Sequence, residues 1–310
     1  MRAFSSAEIR GTYATLLLPI CEDESIDYGL LKAQLQYLVS SGVDGIYSNG
    51  TAGEFYTLSE DEFIDVNQLL SDTCEKAGLP FQVGAAFPTA QLALQRVKRA
   101  AEFRPSAIQV ILPDWYPPTL DESIKFLERV GEAADGVPLV LYNPPHAKKI
   151  LNPAELKIAC DRIPTLVGLK TGAGDDAWYE AMKPVMQLIS VFVPGHTLAS
   201  GFTRGAKGAY SNVACLQPRG AARWNGLMET NLNHALEVEK QIQTFMTNRV
   251  LPFRENKGRS NMALDKLLAW TGDWAQIGMK LRWPYIGIDP SDVTELRAQV
   301  RQEISFLFEQ

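Results

Sequence analysis

The sequence predicts a (β/α)8 barrel followed by a C-terminal helical extension. Two patterns predict the barrel, and a third predicts the extension. Eight short apolar runs recur through the first two thirds of the chain, at Tyr13–Leu18, Gly45–Ser48, Phe81–Ala85, Ala107–Leu112, Leu139–Tyr142, Leu166–Leu169, Val191–Val193 and Ala209–Ser211. Segments of helical period lie between them, and regular strand–helix alternation is the signature of a parallel sheet wound by helices. From about Asn233 the strands stop and only helical pattern continues.

The runs are short, continuous and rich in Val, Ile, Leu and Tyr, as strands buried on both faces should be. Leu30–Val39 carries apolar residues at Leu31, Leu35 and Leu38. Ser59 and Glu62 stand at capping-box spacing and open a helix through Leu70. Asp121 or Glu122 opens Ile124–Ala134, and Asn152 with Pro153 opens Ala154–Cys160, with proline at the first helical position. Gly78-Leu79-Pro80, Gly136-Val137-Pro138 and Arg162-Ile163-Pro164 read as helix stops leading into the next strand. The competing arrangement is an open doubly wound sheet, but no GxGxxG follows the first run and the spacing is regular. Residues 1–232 are therefore expected to form the barrel with the active site. Residues 233–310 are expected to form the extension, with helices at His234–Met246, Met262–Trp270 and Asp292–Phe308.

Composition narrows the chemistry. The 310 residues include 30 Lys and Arg against 36 Asp and Glu, a formal charge of −6, with 46% hydrophobic and 21% charged residues. That balance lacks the electrostatic footprint of a nucleic-acid binder. The three histidines, His146, His196 and His234, show no metal-ligand spacing, and Cys21, Cys74, Cys160 and Cys215 form no CxxC. Neither a metal nor any other cofactor is expected. No signal peptide and no run of 18 apolar residues is seen, so a cytoplasmic protein with no membrane partner is expected.

In a barrel of this kind the active site lies at the C-terminal ends of the strands. Lys170 follows the sixth run. An ammonium held among apolar groups is destabilised, which frees a neutral amine able to attack a ketone and form a Schiff base. A solvated loop lysine is the alternative at this position. Tyr142 ends the fifth run, on a neighbouring strand about 4.8 Å away, where a phenol can shuttle protons or simply bond a loop carbonyl. Gly50-Thr51-Ala52-Gly53-Glu54 ends the second run. Its glycines permit a tight turn with amides free for a carboxylate, aided by the Thr51 hydroxyl, although an ordinary βα turn has the same composition.

Together these motifs resemble the dihydrodipicolinate synthase / N-acetylneuraminate lyase family of class I aldolases. Gly50-Thr51-Ala52-Gly53-Glu54 is similar to its G-[TS]-x-G-E, Tyr142-Asn143-Pro144-Pro145 to its Y-N-x-P, and Gly168-Leu169-Lys170 to its G-[IL]-K. Gly195-His196-Thr197, through Gly201 to Gly208, resembles the strand 7–8 region of the lyase branch. The resemblance spans nearly the whole chain. It implies a Schiff base between Lys170 and a 2-oxo acid, usually pyruvate, with Tyr142 as acid/base. Thr51 and the amides around Ala52, between Gly50 and Gly53, would hold the carboxylate. It also implies a homotetramer or homodimer, with Trp115 or Tyr116 of the strand 4 loop reaching a neighbouring site. His196 and Ser211 follow the seventh and eighth runs and so face the expected mouth as substrate-binding candidates, a hydrogen-bonded loop histidine being the alternative for His196.

The chain departs from the family where the second half of the substrate should bind. Ala147 stands where the synthase branch carries a carboxylate-binding arginine, Ala52 replaces a second threonine, Trp115 aligns with a tyrosine, and His196 replaces an aspartate. The expectation is retained imine chemistry with altered specificity: aldol cleavage, condensation or dehydration of pyruvate or a 2-keto-3-deoxy sugar acid. Lys148, Lys149 and Arg204 are cations near the mouth that read first as ordinary solvated surface charges, with reception of a second acidic group as the alternative. The competing readings are dihydrodipicolinate synthase proper and a catalytically idle sugar-acid-binding barrel.

Overall fold

The computed structural model describes residues 2–309. Eight parallel strands close on one another in sequence order. They are β1 (Gly11–Thr15), β2 (Gly45–Ser48), β3 (Phe81–Gly84), β4 (Ala107–Val110), β5 (Leu139–Asn143), β6 (Leu166–Thr171), β7 (Ser190–Phe192) and β8 (Gly208–Tyr210). Around them lie α1 (Tyr28–Val39), α2 (Glu60–Ala77), α3 (Ala90–Glu102), α4 (Leu120–Ala133), α5 (Pro153–Arg162), α6 (Asp176–Met186), α7 (Leu198–Phe202), α8 (Asn212–Leu216) and α9 (Pro218–Thr230). The tail forms α10 (Leu232–Phe245), a π-helical turn at Met246–Val250, α11 (Leu251–Glu255), α12 (Asn261–Gly272) and α13 (Leu296–Glu303).

The capping chemistry works as the sequence predicts at α2 and α5. The Ser59 and Asn152 side chains accept from the amides of Glu62 and Glu155, whose carboxylates bond back to the cap amides. At α4 the cap is Thr119, which forms a third box with Glu122, so the predicted opening at Asp121 or Glu122 is two or three residues too late. The first run also overshoots. β1 ends at Thr15, and Leu16–Leu18 stays buried without a ladder because the Gln34 amide bonds both the N–H and the C=O of Leu17, at 2.9 and 2.7 Å. The predicted helix at Asp292–Phe308 is three pieces. Pro290–Val293 and Ser305–Phe308 are 3-10 turns flanking α13, and Ile304 breaks the run with φ −134° and ψ 56°. Helices α3 and α6 match no named candidate segment.

The interior of the barrel is aromatic. Tyr13, Tyr47, Phe192 and Tyr210 pack with centroids 4.7–5.7 Å apart, above Ile9, Ala107 and Val140. Rings of this size need small neighbours: a Cβ on Gly45 would sit 2.4 Å from the Tyr13 ring. A larger apolar layer, including Leu31, Leu70, Val97, Leu127 and Met182, joins the strands to the helices. The extension belongs to this layer. Helix α12 packs on α8, and Leu267, Leu268 and Ala269 are buried in the same cluster. No helix among the described residues is long and apolar enough to cross a membrane.

Candidate active site

At the C-terminal end of the strands a cavity of about 530 Å³ opens. Lys170 lies at its base. Strands β5 and β6 set Tyr142 directly beside Lys170, as backbone partners in the ladder. The Lys170 ammonium lies over three rings, 4.2 Å from the centroid of Tyr142, 4.7 Å from Tyr47 and 5.1 Å from Tyr210. It donates to the Tyr47 hydroxyl at 2.9 Å.

Burial brings the Lys170 amine down to about 8. The Asp265 carboxylate and the Cys215 thiol oppose the shift, but desolvation outweighs them. Burial pushes Tyr142 up, against a hydrogen bond with Thr51, and pushes Tyr47 well above the usual phenol range. Both are therefore neutral hydrogen-bond donors and acceptors near neutrality. Asp265, on α12, is raised to about 7 by burial, with Lys170 opposing.

Of the residues the sequence proposes, Lys170, Tyr142, Thr51, Ala52 and His196 come together around this cavity. Gly50 and Gly53 shape it from behind. A Cβ on Gly50 would lie 2.5 Å from the Tyr47 ring, and one on Gly53 would lie 3.0 Å from the Leu16 carbonyl. The turn is closed by the amides of Glu54 and Phe55, which donate to the Thr51 and Gly50 carbonyls. That leaves the Thr51 and Ala52 amides outside the turn's own bonds.

Ser211 does not line the cavity. Its hydroxyl caps α8 by accepting from the Ala214 amide at 3.0 Å. Trp115 and Tyr116 also lie away from it, 80% and 84% exposed. Lys148 pins their loop by donating to the Trp115 carbonyl at 2.8 Å and placing its ammonium over the indole.

His196 is held from two sides. Its amide donates to Asn212 Oδ1 at 3.1 Å, and Asn212 Nδ2 lies 2.9 Å from His196 Nδ1. With the amide oriented this way, Nδ1 accepts and the proton sits on Nε2. Burial holds the imidazole below its usual range, so it is neutral.

The expected cations are engaged elsewhere. Lys149 pairs with Glu155 at 2.7 Å and Arg204 with Asp176 at 2.7 Å, and neither they nor Lys148 line the cavity. Arg254, from α11, lines it instead.

Sequence reasoning missed the contribution of the extension. Gln243, Met246, Arg254, Leu264, Asp265 and Leu268 form the outer wall. It also missed Tyr47, although alternation along β2 was a signal for it. For Asp265 the signal was a charged pair, Asp265-Lys266, inside the otherwise apolar Met262–Trp270. No three His, Cys, Asp or Glu side chains gather as a metal site among the described residues.

A closed (β/α)8 barrel with a desolvated lysine amine near the end of its sixth strand, flanked by two phenols, is a scaffold suited to imine chemistry. The match to known proteins agrees. Residues 8–302 match the model of the dihydrodipicolinate synthetase family, and the chain belongs to that family.

It is 25% identical over 249 residues to the N-acetylneuraminate lyase of Escherichia coli strain SMS-3-5, covering 77% of this chain and 80% of the relative. Two solved structures share the fold. One is YagE, a prophage protein of the dihydrodipicolinic acid synthase family from E. coli K12 in complex with pyruvate, with TM-score 0.83, 19% identity and coverage of 95% and 98% of the two chains. The other is a catalytic lysine mutant of the Ruminococcus gnavus sialic acid aldolase, with TM-score 0.82, 17% identity and 99% of each chain covered.

Proposed function

We propose that the protein is a carbon–carbon or carbon–oxygen lyase that joins Lys170 to the ketone of a 2-oxo acid as a Schiff base. The observation that carries this reading is the half-buried Lys170 amine, brought down to about 8 by desolvation and set beside Tyr142. With that value roughly one amine in ten is neutral at pH 7, against roughly one in three thousand for an ordinary lysine. The neutral nitrogen attacks the ketone carbon. Tyr142, hydrogen-bonded to Thr51, delivers a proton to the oxygen, and water leaves as the imine forms. Thr51 and the amides of the Thr51-Ala52 turn receive the substrate carboxylate.

The rest of the cavity takes the distal part of the substrate. The neutral His196, Gln243 and Arg254 offer polar contacts, and Met246, Leu264 and Leu268 offer apolar ones. A space of about 530 Å³ is much larger than pyruvate needs. This fits a longer 2-oxo acid such as a 2-keto-3-deoxy sugar acid. In this reading residues 1–232 supply the imine chemistry and residues 233–310 close the mouth. The enzyme works in the cytoplasm as a homotetramer or homodimer, and the exposed Trp115–Tyr116 loop reaches a partner's site.

Borohydride reduction in the presence of pyruvate tests the reading. A fixed mass should be added at Lys170, and Lys170→Ala should abolish both the adduct and turnover of a panel of 2-keto-3-deoxy acids. Absence of any adduct on the native protein with pyruvate or those acids overturns it.

A further inference from the structure

We propose that Asp265, carried by the extension rather than by the barrel, is the base that moves the proton at C3 of the substrate bound to Lys170. This rests on the Schiff-base reading above and adds a second proton-transfer residue to it. A proton on the carbon next to an iminium is acidic because the nitrogen can take up the electron pair. In the step, the C3–H bond breaks and the proton goes to a carboxylate oxygen of Asp265. The C–H pair becomes the C2=C3 bond, and the C2=N π pair returns to the Lys170 nitrogen. A neutral enamine and a neutral carboxylic acid result, and the reverse step returns the proton. No other reactant is required.

Position supports this assignment first. Asp265 lines the same cavity as Lys170, and it is the only Asp or Glu among the described residues that does. Its carboxylate has no hydrogen-bond or ion-pair partner among the described residues, so nothing in the fold occupies it. Its neighbour on the same helix is the opposite case. Lys266 turns away from the cavity into an ion pair with Glu54 at 2.6 Å.

Electrostatics supports it second. The negative charge of Asp265 favours the charged form of Lys170 and disfavours ionisation of Tyr142 and Tyr47, the three groups around which the imine would form. The other candidate bases fit less well. Burial pushes Tyr142, Tyr47 and Cys215 up, so none is an anion near neutrality. His196 has its Nδ1 taken by Asn212. A carboxyl raised to about 7 is also well matched to proton transfer near neutral pH.

Pyruvate alone tests the proposal. In D2O, exchange of its methyl protons, followed by proton NMR, reports C3 deprotonation. Borohydride trapping on Lys170 reports imine formation and serves as the control for folding. Asp265→Asn and Asp265→Ala are expected to trap pyruvate to within about threefold of the native protein. Their exchange is expected to slow about 100-fold or more. Exchange at the native rate in Asp265→Asn overturns the proposal. So does loss of exchange and trapping in parallel, which would assign Asp265 to imine formation or to the fold. If the native protein traps no pyruvate or other 2-oxo acid, the Schiff-base reading itself falls and takes this proposal with it.

Discussion

Two lysines are withdrawn from bulk water beside helix α12, Lys266 buried and Lys170 half-buried, and the protein handles them in opposite ways. Lys266, on the helix, is fully buried with its ammonium 2.6 Å from the equally buried Glu54, and it also donates to the Lys280 carbonyl at 2.5 Å. Lys170, at the barrel mouth, has aromatic faces and the Tyr47 hydroxyl but no carboxylate in contact. Burial lowers both amines, yet only at Lys266 does a contacting carboxylate hold the charged form. A lysine with its own carboxylate is a structural rivet. A lysine denied one is a nucleophile in waiting. The rivet matters to the site as well. It ties the turn after β2, where Glu54 sits with φ 50°, to the helix that places Asp265 over the mouth.

Breaking the rivet is expected to have the largest effect on stability. Glu54→Gln leaves a buried ammonium without its counter-charge, which costs about 3–5 kcal/mol. Glu54→Gln with Lys266→Met should recover most of that loss. Urea unfolding of the three proteins checks it, and a single variant as stable as the native chain would remove the contrast between the two lysines.

The reverse sign is expected at the mouth, and it is somewhat smaller. The folded-state value of Lys170, about 8, lies below the ordinary 10.5, so between these values the unfolded chain binds more protons than the folded one. Native stability should therefore rise from pH 8 to pH 10.5, with the full penalty present below 8. Lys170→Met should be more stable than the native chain by about 3 kcal/mol at pH 7, and the gap should close toward pH 10.5. Unfolding midpoints across that range measure it. A gap independent of pH would mean that the lysine charge is not what strains the site.

The smallest effect is expected from Tyr47→Phe. It removes the hydroxyl that accepts from Lys170 Nζ, which costs the charged amine about 1 kcal/mol. The pH at which pyruvate trapping reaches half its maximum should move down by a little under one unit. An upward movement would show that the phenol acts on the amine in some other way.

The same contrast explains what was legible in the sequence. That Lys170 and Tyr142 lie side by side was legible because their positions follow from strand ends, and a parallel ladder sets β5 and β6 residues next to each other. Thr51 and Ala52 were found through the glycines around them. Ser211 was placed at the mouth by the same logic, but a hydroxyl just before a helix is also a cap, and there capping won. Trp115 and Tyr116 belong to a loop whose path depends on Lys148, 33 and 32 residues away in the chain. The cations Lys148, Lys149 and Arg204 were near the mouth in sequence, yet each found a closer partner.

Local periodicity and capping were enough to determine eight strands, the order in which they alternate with helices, a helical tail, and a lysine and a tyrosine at the ends of neighbouring strands. These depend on interactions between residues near in the chain, or on a ladder register that repeats. Only the tertiary structure decided that the tail becomes the outer wall of the cavity, that Asp265 and Lys266 turn to opposite sides of one helix, and that Lys170 rather than Lys266 is left without a carboxylate in contact. Those outcomes depend on the path by which the extension returns to the barrel mouth, across more than 90 residues from β6 to α12, and no local pattern encodes that path.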